Sequence, residues 1–150
     1  MTEVNDFLSD RDRSTLDEMR DFIYNHVSSH ANKWDKSQSM SRKVISDLSK
    51  KGWLGGLAPL STGGMGMDPY LWGAFCEEIG KSSSSLLGLP TVHGMVIQAL
   101  SRWGSAEQKA RYLPELATGN KLGAFALTEP EIGSDAANVQ TQAVKHGSFI

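Results

Sequence analysis

Apolar residues recur at helical spacing as far as Leu116, and the pattern changes after Gly119. That break constrains the fold most. It predicts a helical block followed by a segment of strand character. Residues 8–27 read as the first helix, with Leu16, Met19, Phe22, Ile23 and Val27 on one face and Asp17, Glu18, Arg20 and Asp21 between them. A polar stretch, SSHANKWDKSQS, follows. Val44, Ile45 and Leu48 mark a second helix, which Gly52 ends after Lys50 and Lys51, because glycine takes the left-handed cap and cations suit the negative helix end. Gly55 to Gly66 reads as a loop. Asp68-Pro69 opens a third helix, since Asp supplies an N-cap oxygen and Pro is tolerated at the first helical position. Leu71, Phe75 and Ile79 form its apolar face and Gly80 ends it. Serines 82–85 read as a connector. A fourth helix is predicted from Thr91 to Trp103, with Val92, Met95, Val96, Ala99 and Leu100 inward and Gly104 as its stop. Ser105 and Gln108 form a capping box that starts a fifth helix, and Pro114 leaves room for a last turn through Leu116.

Beyond Gly119, residues 123–128 (GAFALT) form a short apolar strand candidate. Residues 141–150 read as a strand, a turn at His146-Gly147 and the start of a return strand. Two or three strands cannot close a sheet, and open edges are sticky. The expectation is that the natural protein continues past Ile150.

Composition narrows the function classes. The chain has 150 residues, 39% apolar, enough for a buried core. A formal net charge of -2 offers no basic excess for nucleic acid or anionic lipid. One cysteine, Cys76, allows no internal disulfide and fits a reducing cytosol. The first ten residues, acidic and polar, do not resemble a signal peptide, and no apolar run is long enough to span a membrane. A cytoplasmic location is the expectation.

The segment from Phe125 to Asp135 carries the most chemistry. A strand ends in a hydroxyl residue, a turn follows, and then Gly133-Ser134-Asp135. Thr128 can present a hydroxyl and a backbone N–H together. Gly133 and Ser134 can expose successive N–H groups, a concave donor set suited to an anion. Glu129 and Asp135 are poor anion ligands and are expected to brace the loop by accepting backbone hydrogen bonds. For Gly-Ser-Asp alone, a structured turn with local bonds would be the plainer reading.

Leu127-Thr-Glu-Pro-x-x-Gly-Ser-Asp135 resembles the signature of the acyl-CoA dehydrogenase family. Gly104-Ser-x-Glu-Gln-Lys-x-x-Tyr-Leu-Pro114 resembles the stretch that this family carries just upstream. Glu77-Glu78 before a glycine, and Gly63-Gly-x-Gly66 before the third helix, also sit where the family has them. Ile132 and Asn138 depart from it, standing where small residues are usual.

The resemblance implies an α+β architecture. Residues 1–120 would be an N-terminal all-α domain and 121–150 the start of a middle β-barrel domain, with a C-terminal helical domain outside this chain. It implies FAD as cofactor, cradled by Phe125, Ala126, Leu127, Thr128, Gly133 and Ser134. The Thr128 position hydrogen-bonds the isoalloxazine ring near its reactive nitrogen, and the Ser134 position lies by the pyrophosphate and the acyl thioester. The implied chemistry removes a proton alpha to a thioester carbonyl and transfers a hydride from the beta carbon to the flavin. The family's base, a carboxylate, belongs to the C-terminal domain, so no catalytic residue is assigned here. The helix around Leu87 to Gln98 resembles the one lining the acyl end of the pocket, which makes Leu87, Thr91 and Met95 substrate-side candidates. Ordinary core packing is the competing reading of those three. Implied partners are an acyl-CoA or acyl-carrier-protein thioester, electron-transfer flavoprotein or another acceptor, and further copies of the chain in a dimer or tetramer. Two other readings stay open: a flavin oxidoreductase acting on carrier-tethered acyl groups, and a non-catalytic helical interaction module.

Other features have blander readings. Gly63-Gly64-Met65-Gly66 lacks a preceding strand and a Walker lysine, so it reads as a connector rather than a nucleotide loop. His26 and His30 are spaced for a shared metal but have no third ligand, and read as solvated. Adjacent Glu77 and Glu78 read as ion-pair partners, Cys76 as a small core residue, and Trp53, Trp72 and Trp103 as core packing.

Overall fold

The computed structural model describes residues 4–147. Among them six α-helices follow in order: α1 Asp10–Ile23, α2 Ser29–Ser37, α3 Arg42–Lys50, α4 Pro69–Ser82, α5 Ser84–Trp103 and α6 Ala106–Ala117. Helix α4 packs against α1 and α5, and α6 packs against α5.

Most helix ends form as the local sequence dictates. Asp68 Oδ1 accepts the N–H groups of Tyr70 and Leu71 at 2.8 and 2.9 Å. Ser105 and Gln108 cap each other reciprocally. Gly52 takes the left-handed conformation, φ 77°, just past Lys51, the C-cap of α3. Helix α6 runs past Pro114 to Ala117.

Gly80 does not end the third helix: α4 runs on to Ser82, and the Ser83 N–H still donates to the Ile79 carbonyl at 2.7 Å. Two other helices are much longer than the periodicity predicts. The first does not stop near Val27. A π-helical turn, Tyr24–Ser28, carries the chain into α2, so the polar stretch is helical as far as Ser37. Val27, Ala31 and Trp34, at i, i+4 and i+7, are all buried and continue the apolar stripe. Helix α5 starts at Ser84 rather than Thr91. The Ser83 hydroxyl accepts the Leu86 N–H at 3.1 Å, so the serine run is a helix start rather than a connector. Pro90 lies inside the helix. A mid-helix proline costs about 3 kcal/mol. A serine cap at about 1 kcal/mol and burial of Leu86 at about 2 kcal/mol offset that cost.

The core lies in two clusters. The larger gathers α1 to α4 and the start of α5 around Trp53, whose ring meets Phe22 edge-on at 5.3 Å and Phe75 at 5.9 Å. The smaller joins Ala58 and Ile97 to Leu113, Leu116 and Ala117 at the end of α6. The glycine-rich loop is more than a connector. Gly55 accepts the Met65 N–H at 3.1 Å, and Gly56 accepts that of Met67 at 2.8 Å. A Cβ on Gly55 would sit 2.2 Å from the Ala117 carbonyl oxygen, so only glycine lets the end of α6 approach so closely.

Two expectations for α5 are corrected. Its inner side runs through Leu86, Pro90, His93 and Ile97, whereas Met95 is 50% exposed. Trp103 is 79% exposed and is not core. Gly94 is approached by Leu57 and Trp72, so its bare backbone serves close packing.

The predicted strands do not form among the described residues. Residues 123–128 belong to no strand, and an isolated bridge pairs Glu129 with Ile132. An extended segment becomes a strand only when another supplies its hydrogen bonds. Residues 141–147 form no strand either, although His146 is a bridge residue and Gly147, at φ 61°, a turn residue, as predicted; residues 148–150 lie outside the described part. Among the described residues the α-helical half of the expected α+β architecture is present and no strand of a β-barrel is.

Candidate functional site

The candidate cradle begins where α6 ends. Gly119 turns the chain with φ 72°, its N–H donating to the Leu116 carbonyl at 3.0 Å. From α3, the Ser49 hydroxyl donates to the Thr118 carbonyl at 2.6 Å. Lys121 N–H donates to the Glu115 carbonyl at 3.0 Å. The chain then meets α5 at Gly123, whose N–H lies 3.0 Å from Nδ1 of His93. Nε2 of the same ring lies 3.0 Å from the Leu116 carbonyl oxygen. A Cβ on Gly123 would sit 2.8 to 3.0 Å from three Val96 side-chain atoms, so the backbone lies flat on α5.

Past this anchor the segment is open. Phe125 is 47% and Leu127 46% exposed, with Ala126 and Thr128 exposed beside them. Among the described residues, the N–H groups of Ala124 to Thr128 have no hydrogen-bond partner. Glu129 and Ile132 exchange backbone hydrogen bonds of 2.9 and 3.2 Å across Pro130-Glu131. The branched side chain of Ile132, the departure from the family pattern, is buried. Gly133 and Ser134 follow, both exposed, and a Cβ on Gly133 would meet open space.

The acidic residues of the loop brace it. Glu129 accepts the N–H groups of Gln140 and Thr141, each at 2.8 Å, and the Thr141 hydroxyl. That hydroxyl first, then the Gln140 and Thr141 N–H groups, hold the Glu129 carboxyl below the usual carboxylate range. Asp135 accepts the Asn138 side-chain amide at 2.6 Å, and its carbonyl accepts the Asn138 N–H.

The substrate-side candidates are not brought to this loop. At about 100° per residue, Met95 stands roughly 200° around α5 from His93. Leu87, Thr91 and Met95 therefore leave the helix on a different side from the Gly123 contact. Leu87 packs against the larger core, and the Thr91 hydroxyl donates to the carbonyl of Leu87 at 2.8 Å.

The remaining titratable groups have local roles. Among the described residues no cluster of His, Cys, Asp and Glu is arranged for a metal. His26 and His30 are exposed and rest on Phe22 and Trp34. Glu77 pairs with Lys81 at 2.8 Å, and Glu78 with Arg20 at 3.1 Å. Cys76 is half-buried, and burial pushes its thiol pKa up. The residue that sequence reasoning missed is His93. Its signal was a lone imidazole among the apolar residues of α5.

The family described as Acyl-CoA dehydrogenase, N-terminal domain, matches residues 9–120. An acyl-CoA dehydrogenase of Bacillus subtilis (strain 168) is 35% identical over 134 residues, covering 88% of this chain and 35% of that relative. The crystal structure of acyl-CoA dehydrogenase from Geobacillus kaustophilus superposes with a TM-score of 0.84 at 32% identity, covering 94% of this chain and 37% of that one. A glutaryl-CoA dehydrogenase from Mycobacterium smegmatis in complex with FADH2 superposes with a TM-score of 0.86 at 28% identity, covering 96% and 37%. The chain thus spans about a third of the length of the proteins it matches. On the sequence match and the shared helical architecture together, this chain belongs to the acyl-CoA dehydrogenase family and corresponds to its N-terminal portion.

Proposed function

We propose that this chain forms the N-terminal part of an FAD-dependent oxidoreductase that removes hydrogen from the alpha and beta carbons of an acyl thioester. The observation that carries the reading is the exposed run of donors at Phe125–Thr128 and Gly133–Ser134, without partners among the described residues and held to the helical block at Gly123. Family membership and a structural neighbour solved with FADH2 support it.

The residues present fit a flavin. Free N–H groups, an exposed Thr128 hydroxyl and open space at Gly133 suit a planar, electron-rich ring carrying an anionic tail. When bound, FAD supplies a two-electron acceptor for hydride. Thr128 would donate to the ring, and Gly133 and Ser134 to the pyrophosphate. Donors held in place before negative charge develops stabilise that charge without reorganising. Residues 121–150 would open a β-barrel whose other strands, like the catalytic base, come from chain beyond this portion. Ser134 would lie by the thioester, and Met95, exposed on another side of α5, would meet the acyl end. A cytoplasmic homo-oligomer passing electrons to electron-transfer flavoprotein completes the reading.

Thr128→Val tests it in the complete enzyme. The two side chains are nearly isosteric, so the fold should hold. Loss of the hydroxyl should cost the reduced flavin about 1–3 kcal/mol, where a buried acceptor is left unpaired. A redox titration should show a lowered flavin potential. An unchanged potential removes Thr128 from the flavin site, and an enzyme that takes up no flavin refutes the reading as a whole.

A further inference from the structure

We propose that His93 is a positioning residue whose imidazole, fixed in a single tautomer, clamps the start of the flavin-binding segment to the helical block. The proposal rests on the reading of Phe125–Ser134 as a flavin cradle. The side chain is fully buried, at 0% exposure, yet touches two backbone groups from two other parts of the chain. A carbonyl oxygen can only accept, so Nε2, 3.0 Å from the Leu116 oxygen, carries the hydrogen. A backbone N–H can only donate, so Nδ1, 3.0 Å from the Gly123 nitrogen, is the bare acceptor. Only the neutral Nε2–H tautomer satisfies both. The other tautomer, or the imidazolium, would set two donors against each other at Gly123.

The clamp joins three elements through one ring. Residue 93 lies in α5, Leu116 in the last turn of α6, and Gly123 two residues before Phe125. Past Gly123, the backbone N–H groups up to Thr128 have no partner among the described residues. The Gly123 bond is therefore the last backbone tie before the donors begin. Its loss would free the cradle to lift from Val96 while leaving the helices packed. Burial in an apolar setting also holds the ring neutral, pushing its pKa below the ordinary histidine value.

Two variants of the full-length enzyme separate this role from ordinary packing. In His93→Asn the side-chain oxygen can stand near Nδ1 and accept from Gly123, while the donor to Leu116 is lost. In His93→Gln the amide can reach Leu116, while the acceptor at Gly123 is lost. Hydrogen exchange of the peptide spanning residues 119–128 and FAD affinity are measured in both. His93→Gln should exchange at Gly123 about tenfold faster than wild type and hold FAD about tenfold more weakly, as loss of one hydrogen bond implies. His93→Asn should stay near wild type in both. A purely structural histidine would move the two variants alike, and that result overturns the proposal. Faster exchange in His93→Gln with unchanged FAD affinity would uphold the clamp and refute the cradle reading instead. Should neither variant fold, nitrogen NMR of the histidine-labelled wild type decides: a buried imidazole protonated at Nδ1 overturns the clamp, and one protonated only at Nε2 upholds it.

Discussion

Replacing Gly119 with Ala should destabilise the chain by about 2–4 kcal/mol, and part of that cost should vanish when Ser49 is also replaced. Gly119 has φ 72°, and a Cβ there would lie 2.1 Å from Ser49 Oγ, 3.0 Å from Ser49 Cβ and 3.2 Å from a Leu54 methyl carbon. The left-handed backbone alone costs a non-glycine residue about 1–2 kcal/mol. The Ser49 hydroxyl must also swing away, breaking its 2.6 Å bond to the Thr118 carbonyl. That bond is worth about 0.5–1.5 kcal/mol, and residual crowding against Ser49 Cβ and Leu54 accounts for the remainder. Ser49→Ala alone should cost about 1 kcal/mol through the same lost bond. In the double variant the bond can be lost only once and the 2.1 Å clash is gone, so the total should fall short of the sum by about 1 kcal/mol or more. Urea unfolding of the four chains gives the cycle. Costs that add to within about 0.5 kcal/mol would refute the reasoning, because contact through a shared hydroxyl requires coupling.

His93 gives folding a pH dependence of known sign. Its folded pKa lies below the unfolded value of about 6.5 because burial disfavours the cation, an effect only partly opposed by the Leu116 carbonyl. Its contribution is therefore complete above the unfolded value, falls as pH drops toward the lowered folded value, and is fully lost below it. Unfolding midpoints from pH 8 to 5 should show a decline that His93→Gln removes; an identical slope in the variant would count against it. Met95→Ala should leave stability within about 0.5 kcal/mol, since the side chain is half exposed. In the complete enzyme it should shift preference toward longer or bulkier acyl groups several-fold, at about 0.8 kcal/mol per methylene buried. A chain-length profile of unchanged shape would take Met95 out of the pocket.

The helix caps were legible because they are local. Asp68 holds N–H groups two and three residues on, and Ser105 and Gln108 are three apart. Ion pairs such as Glu77 with Lys81 span a single turn and could be read the same way. The Thr128-Glu129 to Ser134-Asp135 motif was legible too, since its letters are contiguous. Where elements depended on partners, the reading went astray. A polar stretch became helical because Ala31 and Trp34 found the core, Pro90 was carried inside a helix by its neighbours' burial, and Trp103 met no core to join.

The sequence by itself determined the helical block, its stops at Gly52 and Gly104, its caps and the family motif, since these rest on interactions within about four residues. Only the tertiary structure decided how the motif is held. The Gly123 bond to His93 spans 30 residues, the Leu116 bond to the same ring 23, and the Ser49 bond to Thr118 69. Nothing adjacent in the chain marks those pairs. They exist because α5 packs on α6 and the turn Trp53–Gly55 packs on α3, α5 and α6 alike, which brings the end of α6 and the residues after it near α3 and α5. The same dependence explains why residues 123–128 have strand composition but no strand: side-chain preference is local, whereas a sheet's hydrogen bonds need a second segment laid alongside.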